Sequence, residues 1–599
     1  MRKIIRNSCF LFGVLLISFA ANASPISYLS MYDNPKYTSD FKNFEFVNPD
    51  APKRGKIVLP AYGSFDNFNP YIFKGIAFSN GAELSLESLG YSPVDDQGTV
   101  YPLLAEKFEL PEDKSYVGFI LNPKAKFSNG SAVTADDVIF SFNSLIEKGA
   151  PFYRVYYADV AKVEKINDHH VRFYFKKGSQ NRELPLILAQ FKIFSKKDFT
   201  GKDFATPSLT PPLGSGAYII DTFEPNKFVE LKRNPDYWGK DIPTRKGFYN
   251  FDTIRFEFYQ DTTITQQALF AGNIDAREEY IAKIWASGYD NKKIYDGSII
   301  KEEIAHNHPA TLQFFGFNTR LDKFKNRNVR QAISLAFNFD WANEKLFYNQ
   351  YKRIYSLFSN TDLAATQPPQ GKEKEILQKI AADIPPKALT KPFELPDNST
   401  WQKQRDNLKE AVRLLKAAGY DFRDGKMVNL TNGEPLEIEV LSNAANGSTF
   451  TRVMLPFINN LAKIGVKMTF RNLEVNVFKN RLDKFEFEMA ILSYQLSNMP
   501  GNEQRELWGS QSADIIGSYN MLGLKNKSID WLIDNLINAE NIDDYQAYVK
   551  ALDRVIMWEN YFIPHWYSPN ERIAYHKKLK HPKTDIKTGI DIYTWWIEE

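Results

Sequence analysis

The sequence predicts an α/β protein built from more than one domain. Three observations carry this expectation. The chain has 599 residues, beyond the size at which a single hydrophobic core stops growing. Hydrophobic residues make up 43% and charged residues 25%, the balance of a chain that folds around a core. Strand-like and helix-like runs alternate along nearly the whole length, which indicates mixed sheets and helices.

The elements follow in order. Lys56 to Pro60 reads as a strand leading into the turn-rich stretch Gly63 to Pro70. Thr134-Ala135-Asp136-Asp137 has the form of a capping box, with Asp in place of Glu. Val138, Ile139, Phe142, Leu145 and Ile146 follow at helical spacing, and Gly149-Ala150-Pro151 stops that helix. Tyr218 to Lys232 reads as a β-hairpin turning at Glu224-Pro225-Asn226-Lys227. Val329 to Phe347 is one long helical pattern. Residues 360 to 400, rich in Pro and Lys, read as a long excursion between elements. Leu408 to Ala418 is an amphipathic helix, with Gly419 where a C-terminal cap is expected.

The first segment bears on the compartment. Met1 to Arg6 is basic, Phe10 to Ala20 is a short apolar run, and Ala21-Asn22-Ala23 is a small-x-small site. That is the form of a cleaved secretory signal over 1–23, with an apolar run too short to span a bilayer comfortably. The single cysteine, Cys9, lies inside it after Arg6-Asn7-Ser8, which lacks the small and apolar residues of a lipoprotein box. The expected product is a soluble, exported chain without disulfide or thiol chemistry. The formal charge of +3 equals the three basic residues Arg2, Lys3 and Arg6, so the remainder is neutral. With no basic tract, nothing argues for nucleic acid.

Motifs for catalysis are missing. There is no G-x-S-x-G elbow, no Walker A loop, no G-x-G-x-x-G fingerprint and no H-E-x-x-H. His306-Asn307-His308 and His169-His170 are the close histidines. Neither has a carboxylate or cysteine partner in sequence order, so both read as surface or turn histidines and no metal or cofactor is expected. Carboxylates are plentiful, which leaves a paired acid–base site open. The aromatic share of 15% serves core packing first and ligand pockets second.

Five ordered segments carry a resemblance. They are Tyr101 to Glu106 with Lys126 to Gly130 and Thr134 to Val138; Gly214 to Tyr218 with Arg233 to Gly239; Ala268 to Ala276; Asn318-Thr319 with Val329 to Ile333; and Lys416 to Tyr420 with Leu461 to Val466. Together the chain resembles the extracytoplasmic solute-binding proteins of family 5, the oligopeptide- and dipeptide-binding group. Val47 to Lys53 and Pro500 to Arg505 with Trp508 are similar to its YejA-type branch.

The resemblance implies a periplasmic binding protein fold: two α/β lobes around a ligand cleft, with an extra subdomain on the first lobe. The implied division is 24–65 and 211–305 in lobe I, 66–210 in the subdomain, 306–535 in lobe II, and 536–599 back in lobe I. The implied function is capture of oligopeptides or peptide-like compounds, cell-wall peptides and peptide antibiotics included, in the periplasm. The protein would be a monomer that delivers them to an inner-membrane ABC permease with ATPase subunits, and would not be an enzyme. In oligopeptide-binding relatives an acid after the cleft strand pairs with the peptide amine. Here the strand is Phe487 to Gln495 and Ser497 stands at the acid's place, a departure from the pattern. Glu503 is then the expected amine partner, Arg505 a carboxylate or structural partner, and Asp514 the next acid; loop stabilisation by Glu503 and Arg505 is the plain alternative. Tyr494, Gln495, Trp508 and the loop Phe73 to Asn80 complete the expected cleft. An oligosaccharide or metal chelate is the alternative cargo, and a secreted hydrolase the alternative class.

Overall fold

The computed structural model describes residues 23–32, 34–179, 181–443 and 447–598. The expected signal, through Asn22 and including Cys9, lies outside the described residues. No helix among the described residues is long and apolar enough to cross a membrane.

The main sheets form two lobes and a subdomain. In the first lobe Lys56–Tyr62 runs parallel to Thr253–Tyr259, and the antiparallel strands Phe228–Arg233 and Tyr218–Glu224 extend that sheet. Asn226, at φ +63°, closes the hairpin with the left-handed geometry that asparagine tolerates. A second sheet orders Ala276–Glu278, Asn570–His576 and Ile299–Ala305. The subdomain is a four-stranded antiparallel sheet, Ala105–Glu109, Tyr116–Leu121, His170–Phe175 and Val160–Asn167. Helix Ala135–Lys148 covers it, opened by Thr134, whose N–H and hydroxyl both donate to the Asp137 carboxylate (2.9 and 2.8 Å).

The second lobe's sheet orders Lys467–Leu473, Glu437–Asn443, Met489–Tyr494, Leu312–Phe317 and Phe562–Pro564. Phe315, Phe317, Val440 and Met489 bury one face of it against Ile333, Leu415, Phe450 and Phe457. A separate apolar cluster joins the subdomain (Phe108, Phe119, Phe173) to the other side of this lobe (Trp508, Leu552, Phe562). The subdomain is therefore packed onto the second lobe as well as tethered to the first.

The sheets show two crossings between lobes, one between Ala305 and Leu312 and one between Tyr567 and Asn570. The second was expected at 536. Instead helix Ile542–Glu559 packs against Lys527–Ile537 and Gly371–Lys379 and feeds Phe562–Pro564 into the second lobe's sheet. Two other expectations are corrected. Val329 to Phe347 is two helices, Arg327–Leu335 and Phe339–Lys345, because Asn338 stops the first and accepts the Trp341 N–H to cap the second. The 360–400 stretch holds helix Gly371–Lys379, which buries Ile376 and Leu377 and presents Glu373 to the buried Arg554 at 2.8 Å.

The recurrent segments turn out to hold the frame. Arg330 is buried and donates to the carbonyls of Phe324, Lys325, Glu559 and Asn560. Asn318 donates to Phe485 and Phe487, and Trp238 Nε1 to the Ser215 carbonyl. Gly214 abuts the Ser85 carbonyl so closely that a Cβ would collide with it. Gly214→Ala is expected to destabilise the protein by about 2 kcal/mol or more, because the obstacle is backbone. Gly98→Ala, whose Cβ meets the Met499 side chain at 3.6 Å, should stay within about 0.5 kcal/mol. Denaturant unfolding of the two variants checks this.

Candidate functional site

Two adjoining cavities lie along the groove between the lobes. One, of about 450 Å³, sits against both crossings and takes walls from each lobe. The other, of about 590 Å³, lies over the first lobe at the ends of strands Lys56–Tyr62 and Ala276–Glu278. They share Tyr62, Arg277, Glu278 and Tyr280, so the pair forms one continuous groove. The positions follow from topology: the parallel strands of the first lobe end here, and ligands of open α/β sheets bind at such strand ends.

The walls are chemically mixed. Phe347, Phe450 and Trp566 form an aromatic side, with the Phe347 and Trp566 rings 4.6 Å apart. Arg572, on the strand after the second crossing, is 6% exposed and lines the cavity. Its Nη2 donates to the Gln350 carbonyl (3.2 Å), while its Nη1 is buried without a hydrogen-bond partner. An unpaired buried donor is costly, and the nearest carboxylate, Glu303, stands 3.8 Å from the Nε of the same guanidinium. Arg452 and Lys283, both exposed, lie on the same cavity. Glu278 faces both cavities, and burial pushes its carboxyl above the usual carboxylate range even though the Tyr280 hydroxyl donates to it. Arg277 and Glu279 are fully buried and satisfy each other. Asp591, on the first-lobe cavity, is a second desolvated carboxyl, raised by burial to about 6. Thus Glu278, Asp591 and the cationic groups Arg572, Arg452 and Lys283 share a groove.

The expected cleft residues divide. Asn80 stands on the first-lobe cavity and donates to the Tyr593 hydroxyl at 3.1 Å. Gln495 is exposed and accepts from Thr311, a cavity residue, at 2.7 Å. Tyr494 points the other way, into the core, with its hydroxyl on the Tyr519 carbonyl (2.7 Å). Strand alternation explains the difference: Ser493 and Gln495 continue the face of Met489 and Ile491 and emerge at its exposed end, while Tyr494 joins Leu492 on the opposite, buried face. Ser497 accepts the Met499 N–H within a local turn. Trp508 is fully buried against Tyr494 and Phe562. Asp514 pairs with Lys525 on the surface at 2.5 Å. Phe73 packs against Gly517 and Lys479 of the second lobe.

Glu503 and Arg505 lie off both cavity walls, at the junction of subdomain and second lobe. Arg505 reaches Asp159 of the subdomain at 3.0 Å, and Asn181 donates to Asn502 at 2.9 Å. The Asn502 N–H donates to Glu183 at 2.5 Å, while Glu503 accepts from the Gly501 N–H and the Gln504 amide (3.0 Å each). A Cβ on Gly501 would collide with the Glu183 carboxylate, which explains the glycine of the Pro500-Gly501-Asn502 segment. Burial raises both carboxyls, and the charge of Glu503 raises Glu183 further.

Sequence reasoning missed Arg572, Glu278, Tyr280 and the grouping of His306 with His308 and Glu571. Their one sequence signal was proximity to the crossings, which no periodicity announces.

Residues 99–514 match the family model of the bacterial extracellular solute-binding proteins, family 5, middle part. A probable peptide-binding protein, YejA, of Agrobacterium fabrum is 36% identical over 598 residues, covering 98% of this chain and 96% of that one. The peptidoglycan-binding protein YepA of the same organism is 35% identical over 605 residues, covering 98% and 97%. Among solved structures, the oligopeptide-binding protein AppA from Bacillus subtilis, in complex with a nonapeptide, superposes with a TM-score of 0.73 at 19% identity, covering 92% of this chain and all of that one.

The Glu183–Glu503 pair makes a pH prediction. A carboxyl raised by folding holds its proton in the native state and loses it on unfolding. Its contribution is fully present below the ordinary value of 4.5 and is lost as pH rises through the raised value. Stability should fall from about pH 4.5 toward neutrality, and Glu183→Gln should flatten that slope. Urea unfolding at stepped pH reads both; an unchanged slope in the variant contradicts the assignment.

Proposed function

Because the chain belongs to the bacterial extracellular solute-binding proteins of family 5, we propose that it is the exported substrate-binding component of an ABC importer and that its cargo is a peptide or peptide-like compound. The observation that carries this reading is the pairing, in one groove, of an orphaned guanidinium nitrogen on Arg572 with the desolvated carboxylate of Glu278. A zwitterionic ligand answers both needs. Its carboxylate meets Arg572, with Arg452 and Lys283 nearby, and its ammonium meets Glu278, restoring charge to a carboxyl that burial disfavours.

The middle of a peptide needs main-chain partners and tolerant side-chain space. Gln313, Ser493 and Gln495 offer polar groups at the exposed end of the second lobe's sheet. The Phe347–Phe450–Trp566 wall offers flat apolar contact without demanding a particular side chain. Asn80 and Tyr593 close the first-lobe end. On this reading Glu503 and Arg505 hold the subdomain against the second lobe, and Glu278 takes the amine role expected of Glu503. Names of relatives that bind peptides or peptidoglycan support a peptide cargo, cell-wall peptides included. The chain acts without catalysis, as a monomer in the periplasm released by its signal, and hands cargo to a membrane permease driven by ATPase subunits. Two crossings permit the lobes to close on ligand and reopen.

Calorimetric titration of the mature protein with a peptide and its C-terminal amide tests the anchor. The free carboxylate form should bind at least tenfold tighter, about 1.4 kcal/mol. Arg572→Gln should bind the two forms alike. Equal affinity for both forms in the unaltered protein contradicts the assignment.

A further inference from the structure

His306 and His308 stand on the first crossing, and Glu571 stands just after the second. The structure stacks the two imidazoles, with ring centroids 3.9 Å apart and planes 20° from parallel. His308 Nε2 lies 3.0 Å from the Glu571 carboxylate. One ligand atom from each of the three residues falls within 4.8 Å of the others.

We propose that these three residues form a binding site for a divalent transition-metal ion of the zinc or nickel type, which clips the two crossings together. Two histidines and one carboxylate are a donor set suited to such ions, and three protein ligands leave a fourth position open. Bonds of about 2.0–2.1 Å in tetrahedral geometry separate donors by roughly 3.4 Å. The His308–Glu571 pair is already inside that spacing, and His306, whose donor lies within 4.8 Å, needs to close in and turn its ring out of the stack. All three residues line the 450 Å³ cavity, which supplies an entry path and room for a water or a ligand atom at the open position.

The surroundings hold the donors in place. Glu571 also accepts the Ile590 N–H at 2.5 Å, so one of its oxygens is fixed. Gly589, at φ +74°, packs against this pair; a Cβ there would lie 2.7 Å from Glu571 Oε2 and 3.0 Å from His308 Nε2. Asn360 approaches His306 Nδ1 and the carbonyls of His306 and His308 at 3.4 Å each, which steadies the segment carrying both rings. His306 is 8% exposed, unlike a histidine left at the surface by chance. The other histidine pair lacks this arrangement: His169 is exposed, and His170 turns to Glu109 inside the subdomain.

A metal here cross-links His306 and His308 on the first crossing to Glu571, on the strand already laddered to Ile299–Ala305. The site is independent of the peptide reading, because metal binding is measured with no peptide present. The test uses tag-free mature protein, stripped with chelator and titrated calorimetrically with Zn²⁺ and with Ni²⁺. One ion per chain is expected, at micromolar affinity or tighter, with at least a tenfold loss in His308→Ala and in Glu571→Gln and no change in His169→Ala. Zn²⁺ should also raise the melting temperature of the unaltered protein and not that of Glu571→Gln. Co²⁺ bound to the unaltered protein should show the intensified visible absorption of a low-coordinate site, a readout that needs no variant. Absence of saturable binding together with an aquo-like Co²⁺ spectrum overturns the proposal, as does binding that persists undiminished in both variants.

Discussion

Two short connections hold this protein's lobes together, and the rest of the architecture depends on them. Ile299–Ala305 pairs with Asn570–His576 on one side, and Leu312–Phe317 pairs with Phe562–Pro564 on the other. Those ladders bring both crossings side by side, so the groove has a floor made of strands that belong to both lobes. Side chains placed there, Arg572 and Glu571 beside one crossing and His306 and His308 on the other, line the cavity between the lobes.

The subdomain adds a second restraint of a different kind. Its apolar core is continuous with the outer layer of the second lobe, and at their junction Asn502, Glu183 and Arg505 with Asp159 replace bulk water by specific polar contacts. Such contacts are selective in geometry while adding little net stability, since each polar group gives up hydration to be there. The paired carboxyls of Glu183 and Glu503 are buried at the same junction, and burial holds both above the usual carboxylate range.

Much of the fold was legible in the sequence because its signals are local. The capping box at Thr134, the hairpin turn at Asn226 and the left-handed Gly419 are backbone requirements that particular residues meet. The break at Asn338 was less visible, because a capping asparagine inside an apolar periodic run is outvoted by the period around it. The helix at Gly371–Lys379 was hidden for the opposite reason: its apolar face is short, and its stability comes from burial against Ile542–Glu559. The site was the least legible part. Asn80 and Gln495 were reached through the family resemblance, which points to a loop and a strand without separating Gln495 from the inward Tyr494. Glu278, Arg572 and the His306–His308–Glu571 group become neighbours through the crossings alone, and the unpaired state of the Arg572 Nη1 exists only in three dimensions. Glu503 drew attention as an acid near the cleft strand, yet its partners are its own segment's N–H groups.

The central claim is that the groove between the lobes carries peptides. Native mass spectrometry of the mature protein, purified from the periplasm and compared before and after mild denaturation, addresses it most directly. The account predicts release of short peptides or peptide-like masses, whose sequencing would show free carboxyl termini. Release of a single sugar or other non-peptide mass, with no peptide displaced, would contradict it.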